Sequence, residues 1–114
     1  MPSAYRFSEF VASCANHAAF VTRGALLTAQ NDFKLRTQKE VLDFIAAGGL
    51  ERLAYTNTRP WANNPDKTRV VMIDAYRFFS GSVQGYLAFG FMNTGKWMVK
   101  SFKKSFYRNS LTSC

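Results

Sequence analysis

Three runs in the second half of the chain constrain the fold most. Residues 70–79, 83–92 and 96–103 are rich in β-branched and aromatic side chains, and only Ser80-Gly81-Ser82 and Thr94-Gly95 separate them. Connectors that short and polar make consecutive antiparallel hairpins, because parallel strands need a long crossover. The first half has a different period. In residues 8–17, Phe10, Val11 and Cys14 continue from Phe7 at i, i+3, i+4, i+7, which predicts a short helix that Ser3 or Ser8 would cap. Residues 18–21 read as an extended link, 22–30 as a second helix opened by Thr22, and Asn31-Asp32 as a turn. Thr37 and Glu40 form a capping box that opens a helix over 38–47, with Val41, Leu42, Ile45 and Phe44 toward the core and Gly48-Gly49 at its end. Residues 53–56 read as a short strand, and 57–67, with two prolines and three asparagines, as a loop. The expected fold is α+β: two to three N-terminal helices packed on a C-terminal antiparallel sheet, in one domain over residues 1–114.

Composition narrows the function. At 47% hydrophobic and 16% aromatic, the chain can bury a core without staples. The charge is +8 and unevenly placed. Residues 1–60 hold seven basic and five acidic side chains; residues 61–114 hold eight and two. From Lys96 onward come Lys96, Lys100, Lys103, Lys104 and Arg108, with no acid. Clustered positive charge points to an anionic partner, either nucleic acid or an acidic protein that masks the patch; the plainer account is a solvated face. Cys14 and Cys114 make no disulfide framework, so reduced thiols and a reducing, cytoplasmic compartment are expected. The opening residues lack the apolar run of a signal peptide, and no stretch approaches a membrane span.

No metal site or cofactor is expected. His17 has no partner at ligand spacing, and no P-loop, dinucleotide fingerprint or nucleophile motif occurs. Lys, Arg and Tyr remain, and they suffice for cleavage of RNA by its own 2′-hydroxyl. That reaction needs a base near the 2′-OH, cations on the phosphate and an acid for the leaving 5′-oxygen. Clustered Lys100, Lys103 and Lys104 supply cations. If Thr94-Gly95 is a two-residue loop, Asn93 opposes Lys96 and the ladder continues as 92:97, 90:99, 88:101 and 86:103. Leu87, Phe89, Phe91, Met98 and Phe102 then share the helix-packed face, with Lys100 as its awkward member. Tyr86, Ala88, Gly90, Trp97, Val99, Ser101 and Lys103 share the other. Tyr86 and Lys103 sit opposite each other, with open space expected beside small Ala88, Gly90 and Ser101. Such a pair can grip a phosphate and move a proton, or can be a cross-strand cation–aromatic pair on a solvated face. A three-residue loop would break the pairing.

Several motifs resemble the MqsR family of toxin–antitoxin ribonucleases, a branch of the RelE-like fold. Thr22-Arg-Gly-Ala-Leu-Leu-Thr-Ala is similar to its T-R-x-A-L-L-x-A stretch, Asp74-Ala-Tyr-Arg to its D-V-Y-R, Gly85-Tyr86-Leu87 to its V-Y-L and Val99-Lys-Ser-Phe-Lys103 to its V-S-F-K. The resemblance runs from Phe7 to Lys104 and implies an mRNA-cutting toxin silenced by an antitoxin. The family's functional tyrosine falls on Tyr86 and its C-terminal lysine on Lys103. Arg77, Lys104, Arg59, Tyr55 and Lys100 are further candidates for contact with RNA. Two positions depart: Ile73 replaces the family's glutamine before D-x-Y-R, and Thr56 its lysine after Tyr55. A short insertion also lies between Tyr55 and Asp74, where Arg59, Lys67 and Arg69 are the basic candidates to replace that lysine. The alternative function is a non-catalytic basic protein, of a phage or mobile element, that inhibits a nucleic-acid machine by binding; a plain RNA-binding domain is a third.

Overall fold

The computed structural model describes residues 3–62, 64–92 and 94–105. The expected thiol of Cys114, Arg108 of the basic run and the pairing of Asn93 with Lys96 lie outside the described residues. The described residues form an α+β fold, with three helices and one five-stranded mixed sheet. Its elements are α1 (Phe7–Ala15), β1 (Ala19–Val21), α2 (Arg23–Phe33), α3 (Gln38–Ala46), β2 (Glu51–Pro60), β3 (Met72–Ser80), β4 (Val83–Phe91) and β5 (Trp97–Lys104). The sheet order is β1-β5-β4-β3-β2.

The sheet is not purely antiparallel. The link at 18–21 contains β1, which pairs parallel to β5, with Ala19 opposite Trp97 and Val21 opposite Val99. A three-residue strand has little local signal; it exists because the edge of β5 offers it partners. Side chains from the helices complete this side of the sheet. Gln38 Oε1 accepts from Val21 N (2.9 Å) on the outer side of β1. Beyond β1, the freed edge of β5 is taken up by α2. Thr28 Oγ1 donates to Phe102 O (2.6 Å), and Lys104 N donates to Asp32 Oδ2 (2.9 Å). Asp32 therefore lies within α2 and not in a turn, since the helix runs on to Phe33 along β5.

Caps follow the sequence in part. Thr22 Oγ1 accepts from Ala25 N and Thr37 Oγ1 from Glu40 N. The returning Glu40 carboxylate reaches Arg36 N (2.7 Å), one residue before the cap. Neither Ser3 nor Ser8 caps α1: its N-cap is Arg6, with no side-chain bond. α1 is held by burial instead. Phe10 is fully buried and stacks on Phe89 at 3.9 Å between ring centroids, and Phe7 packs against Tyr76 and Phe89. Full burial of the Phe10 ring contributes roughly 1.5–3 kcal/mol. At the end of α1, His17 Nε2 meets Asp43 Oδ1 of α3 at 2.8 Å.

All three helices share one core with one face of the sheet, built on Phe10, Cys14, Ala25, Ala29, Val41, Leu42, Ile45, Phe78, Leu87, Phe89, Val99 and Phe102. Buried Asp74 ties the N-terminal segment to that face. Its carboxylate accepts from Ala4 N (2.9 Å), Tyr5 N (3.0 Å) and Thr58 Oγ1 (2.6 Å). The opposite face carries a smaller cluster of Val71, Ile73, Ala75, Ala88 and Met98, flanked by Phe20, Trp61, Tyr86 and Met92. The loop after β2 walls that cluster at one end. Trp61 N donates to Val71 O (2.8 Å), and buried Asn64 bonds Arg69 O and Asp66 N. This loop begins after Pro60, so residues 57–60 belong to β2 and not to the loop read from the sequence.

Candidate nucleic-acid interface on the open sheet face

The decisive local feature is a β-bulge in β5. Near the turn, Phe91 opposes Trp97, Gly90 opposes Met98 and Phe89 opposes Val99. Farther on, Ala88 opposes Ser101, Leu87 opposes Phe102 and Tyr86 opposes Lys103. The two stretches differ by one residue, and Lys100 is the extra one. The turn is longer than two residues, since Met92 N donates to Lys96 O (2.8 Å). That shifts the near half of the ladder, and the bulge restores the expected register in the far half.

Three expectations for this hairpin are corrected. Trp97 and Val99 face the helices, whereas Met98 faces away from them. Lys100 leaves the apolar face and lines the open one beside Tyr86. The open space expected at Gly90 is filled: a Cβ there would lie 2.6 Å from Met72 O and 2.8 Å from Ile73 Cδ1. The bulge is anchored from outside, because Thr22 N donates to Val99 O (3.1 Å) and Thr22 Oγ1 to Lys100 O (3.2 Å).

Tyr86 and Lys103 come together as the register required. Lys103 Nζ lies over the Tyr86 ring, 5.5 Å from its centroid, so the ammonium contacts the ring face. On the other side of Tyr86, Arg77 is its direct partner across β3 and β4. Opposed residues share a face, so Arg77 belongs to this surface. Lys104 lines the same open depression as Tyr86, Lys100, Ser101, Lys103 and Ser105, about 440 Å³ in volume. A second depression, about 170 Å³, lies toward β2 and is lined by Asn57, Arg59, Pro60, Ala62, Ile73, Ala75, Tyr86, Ala88 and Lys100. A third, of about 210 Å³, lies toward α2 between Gly24, Ala25, Thr28, Lys100, Ser101 and Lys103.

The structure places Tyr55 apart. It packs on the helix-side core, stands edge-on to Tyr76 at 5.6 Å, and its hydroxyl meets Thr58 Oγ1 at 2.5 Å. Thr56 falls at the register shift of β2 between Tyr55 and Asn57, with an exposed side chain. Ile73 becomes part of the floor of the 170 Å³ depression. Lys67 and Arg69 lie exposed in the loop beyond β2 and line none of the three depressions. Sequence reasoning missed Asn57 and the role of the bulge. Asn57 sits opposite Ala75 on the open face only because a register shift precedes it. Among the described residues, no three His, Cys, Asp or Glu side chains gather at ligand distance. No described helix is long and apolar enough to cross a membrane.

No family model, curated protein or solved structure matches the chain. The functional reading therefore rests on the chemistry of this face.

Proposed function

We propose that the chain is a metal-independent endoribonuclease toxin, with a RelE-like fold nearest to the MqsR family, that cuts messenger RNA in the cytoplasm and is neutralised by an acidic or RNA-mimicking antitoxin. One observation carries the reading: Tyr86 and Lys103 face each other across β4 and β5 on an open sheet face, with Lys100 beside them. A phenol and two ammonium groups at one concave surface meet the needs of 2′-OH attack. One group takes the 2′-OH proton, the 2′-oxygen bonds to phosphorus, and the bond to the 5′-oxygen breaks as that oxygen gains a proton. The products are a 2′,3′-cyclic phosphate and a free 5′-hydroxyl. Lysine and Arg77 offset the charge on the non-bridging oxygens. Tyr86 orients or deprotonates the 2′-OH; Lys103 holds the non-bridging oxygens or protonates the leaving group.

The test is cleavage of single-stranded RNA in chelator, with product ends identified. Tyr86→Phe and Lys103→Met should each lower the rate roughly 10²-fold. The double variant should lose far less than the product of the two, because both serve one step. Activity abolished by chelator and restored by magnesium, or wild-type rates in both folded variants, would overturn the reading.

The ammonium of Lys103 lies over the Tyr86 ring, 5.5 Å from its centroid, and a cation–aromatic pair of this kind favours a second reading. In it the face binds an anionic partner without cleaving it and blocks a nucleic-acid machine. Salt-dependent RNA binding with no cleavage product under any ionic condition selects that reading.

A further inference from the structure

We infer that the depression between β2 and β4 is a subsite for one unstacked nucleobase, and that Lys100 holds the phosphate joining it to the nucleotide at Tyr86 and Lys103. This rests on the reading of the face as an RNA surface and names what its parts bind. The floor is apolar: Ile73, Ala75 and Ala88 are nearly fully buried. Small side chains on adjacent strands leave a shelf on which a ring can lie. Asn57 stands at one wall with an amide that both donates and accepts, the complement of a base edge. Tyr86 forms another wall. A volume of about 170 Å³ holds one base.

Continuity points to a strand and not to a small metabolite. The base depression shares Tyr86 and Lys100 with the open cationic one, which shares Lys100, Ser101 and Lys103 with the one beside α2. Lys100 lines all three. The track therefore crosses β2, β3, β4 and β5 in turn, about 14 Å at the usual strand spacing. A short run of unstacked nucleotides covers that length. Arg59 stands at its start, Lys100 at its middle and Lys103 near its end, so cations recur along the path as phosphates do. The bulge makes this possible, since a strand continued regularly back from Phe102, in the register that pairs Tyr86 with Lys103, would turn Lys100 into the helix-packed core.

The experiment measures binding of 2′-fluoro RNA octamers, which cannot be cleaved, to the full chain. Three octamers carry the same backbone charge: one with all bases, one fully abasic, and one abasic except for a single base. The all-base octamer should bind at least about fivefold tighter than the abasic one, and the single base should recover most of that difference. Lys100→Met should weaken all three and lower the slope of log affinity against log salt by about one. Asn57→Leu should level the preference among the four bases and leave the salt slope unchanged. Equal binding of the abasic and all-base octamers overturns the base subsite, as does an unchanged salt slope for Lys100→Met, while cleavage through Tyr86 and Lys103 would still stand. Failure of the wild-type chain to bind any octamer overturns both readings.

Discussion

Deletion of Lys100 should be tolerated, although it removes a residue from the interior of a central strand. On the near side of the bulge, Trp97 and Val99 face the helices and Met98 faces away; on the far side, Phe102 faces the helices and Lys103 faces away. Without Lys100, Val99 and Ser101 become neighbours, and the alternation runs unbroken against Phe89 and Ala88. No side chain changes face and no buried apolar area is lost. The identifiable loss is the Thr22 Oγ1–Lys100 O bond and the local twist, about 1–2 kcal/mol in all. Deleting Val99 is the contrast. Val99 is fully buried, and closing its gap either draws an ammonium into the core or turns Met98 and Trp97 over. Lost burial and lost bonds then exceed about 4 kcal/mol. Urea or thermal unfolding of the two deletions measures this. The Lys100 deletion should melt roughly 5–15 °C below wild type, and the Val99 deletion should be largely unfolded at room temperature. Equal damage from both deletions would refute the assignment of Lys100 as the inserted residue.

Three further outcomes follow from single sites. Asp74→Ala should cost about 3–5 kcal/mol, because two backbone amides and the Thr58 hydroxyl lose their acceptor in a buried site; Asp74→Asn should cost less, and chemical denaturation separates the two. Gly90→Ala should cost about 1–3 kcal/mol by pressing a methyl group onto the Met72 carbonyl, read from the same transitions. Cys14 is fully buried and its thiol is pushed up to about 12 from an ordinary 9 by desolvation. In a Cys114→Ser background it should resist alkylation until the protein unfolds. The folded state holds this proton more tightly than the unfolded chain, so stability should fall as pH rises from about 9 toward 12. That alkaline loss should be smaller in Cys14→Ala than with Cys14 present.

Local signals were legible in the sequence. The helices α2 and α3 are bracketed by Thr22, Thr37 and Gly48, and β3, β4 and β5 by short polar turns, because caps and turns are chemistry within a few residues. The pairing of Tyr86 with Lys103 was legible as well, but by a route in which two shifts cancel: a longer turn and a one-residue bulge. Everything that depended on distant partners was not legible. β1 is a strand because β5 lies beside it, Asp32 stays helical because Lys104 N needs an acceptor, and β2 runs to Pro60 because β3 continues opposite it. Tyr55 reads as one more exposed aromatic until β2 turns it toward the helices, on the side away from Tyr86. Lys100 shows the difference most clearly. Alternation along β5 assigns it to the core, where an ammonium without a partner is costly. Folding avoids that cost by bulging the strand, with Thr22, the cap of α2, holding the displaced carbonyl at 3.2 Å from 78 residues earlier in the chain. Sequence periodicity follows one strand at a time, whereas the face on which a residue emerges is decided by the strands and helices that must share its hydrogen bonds.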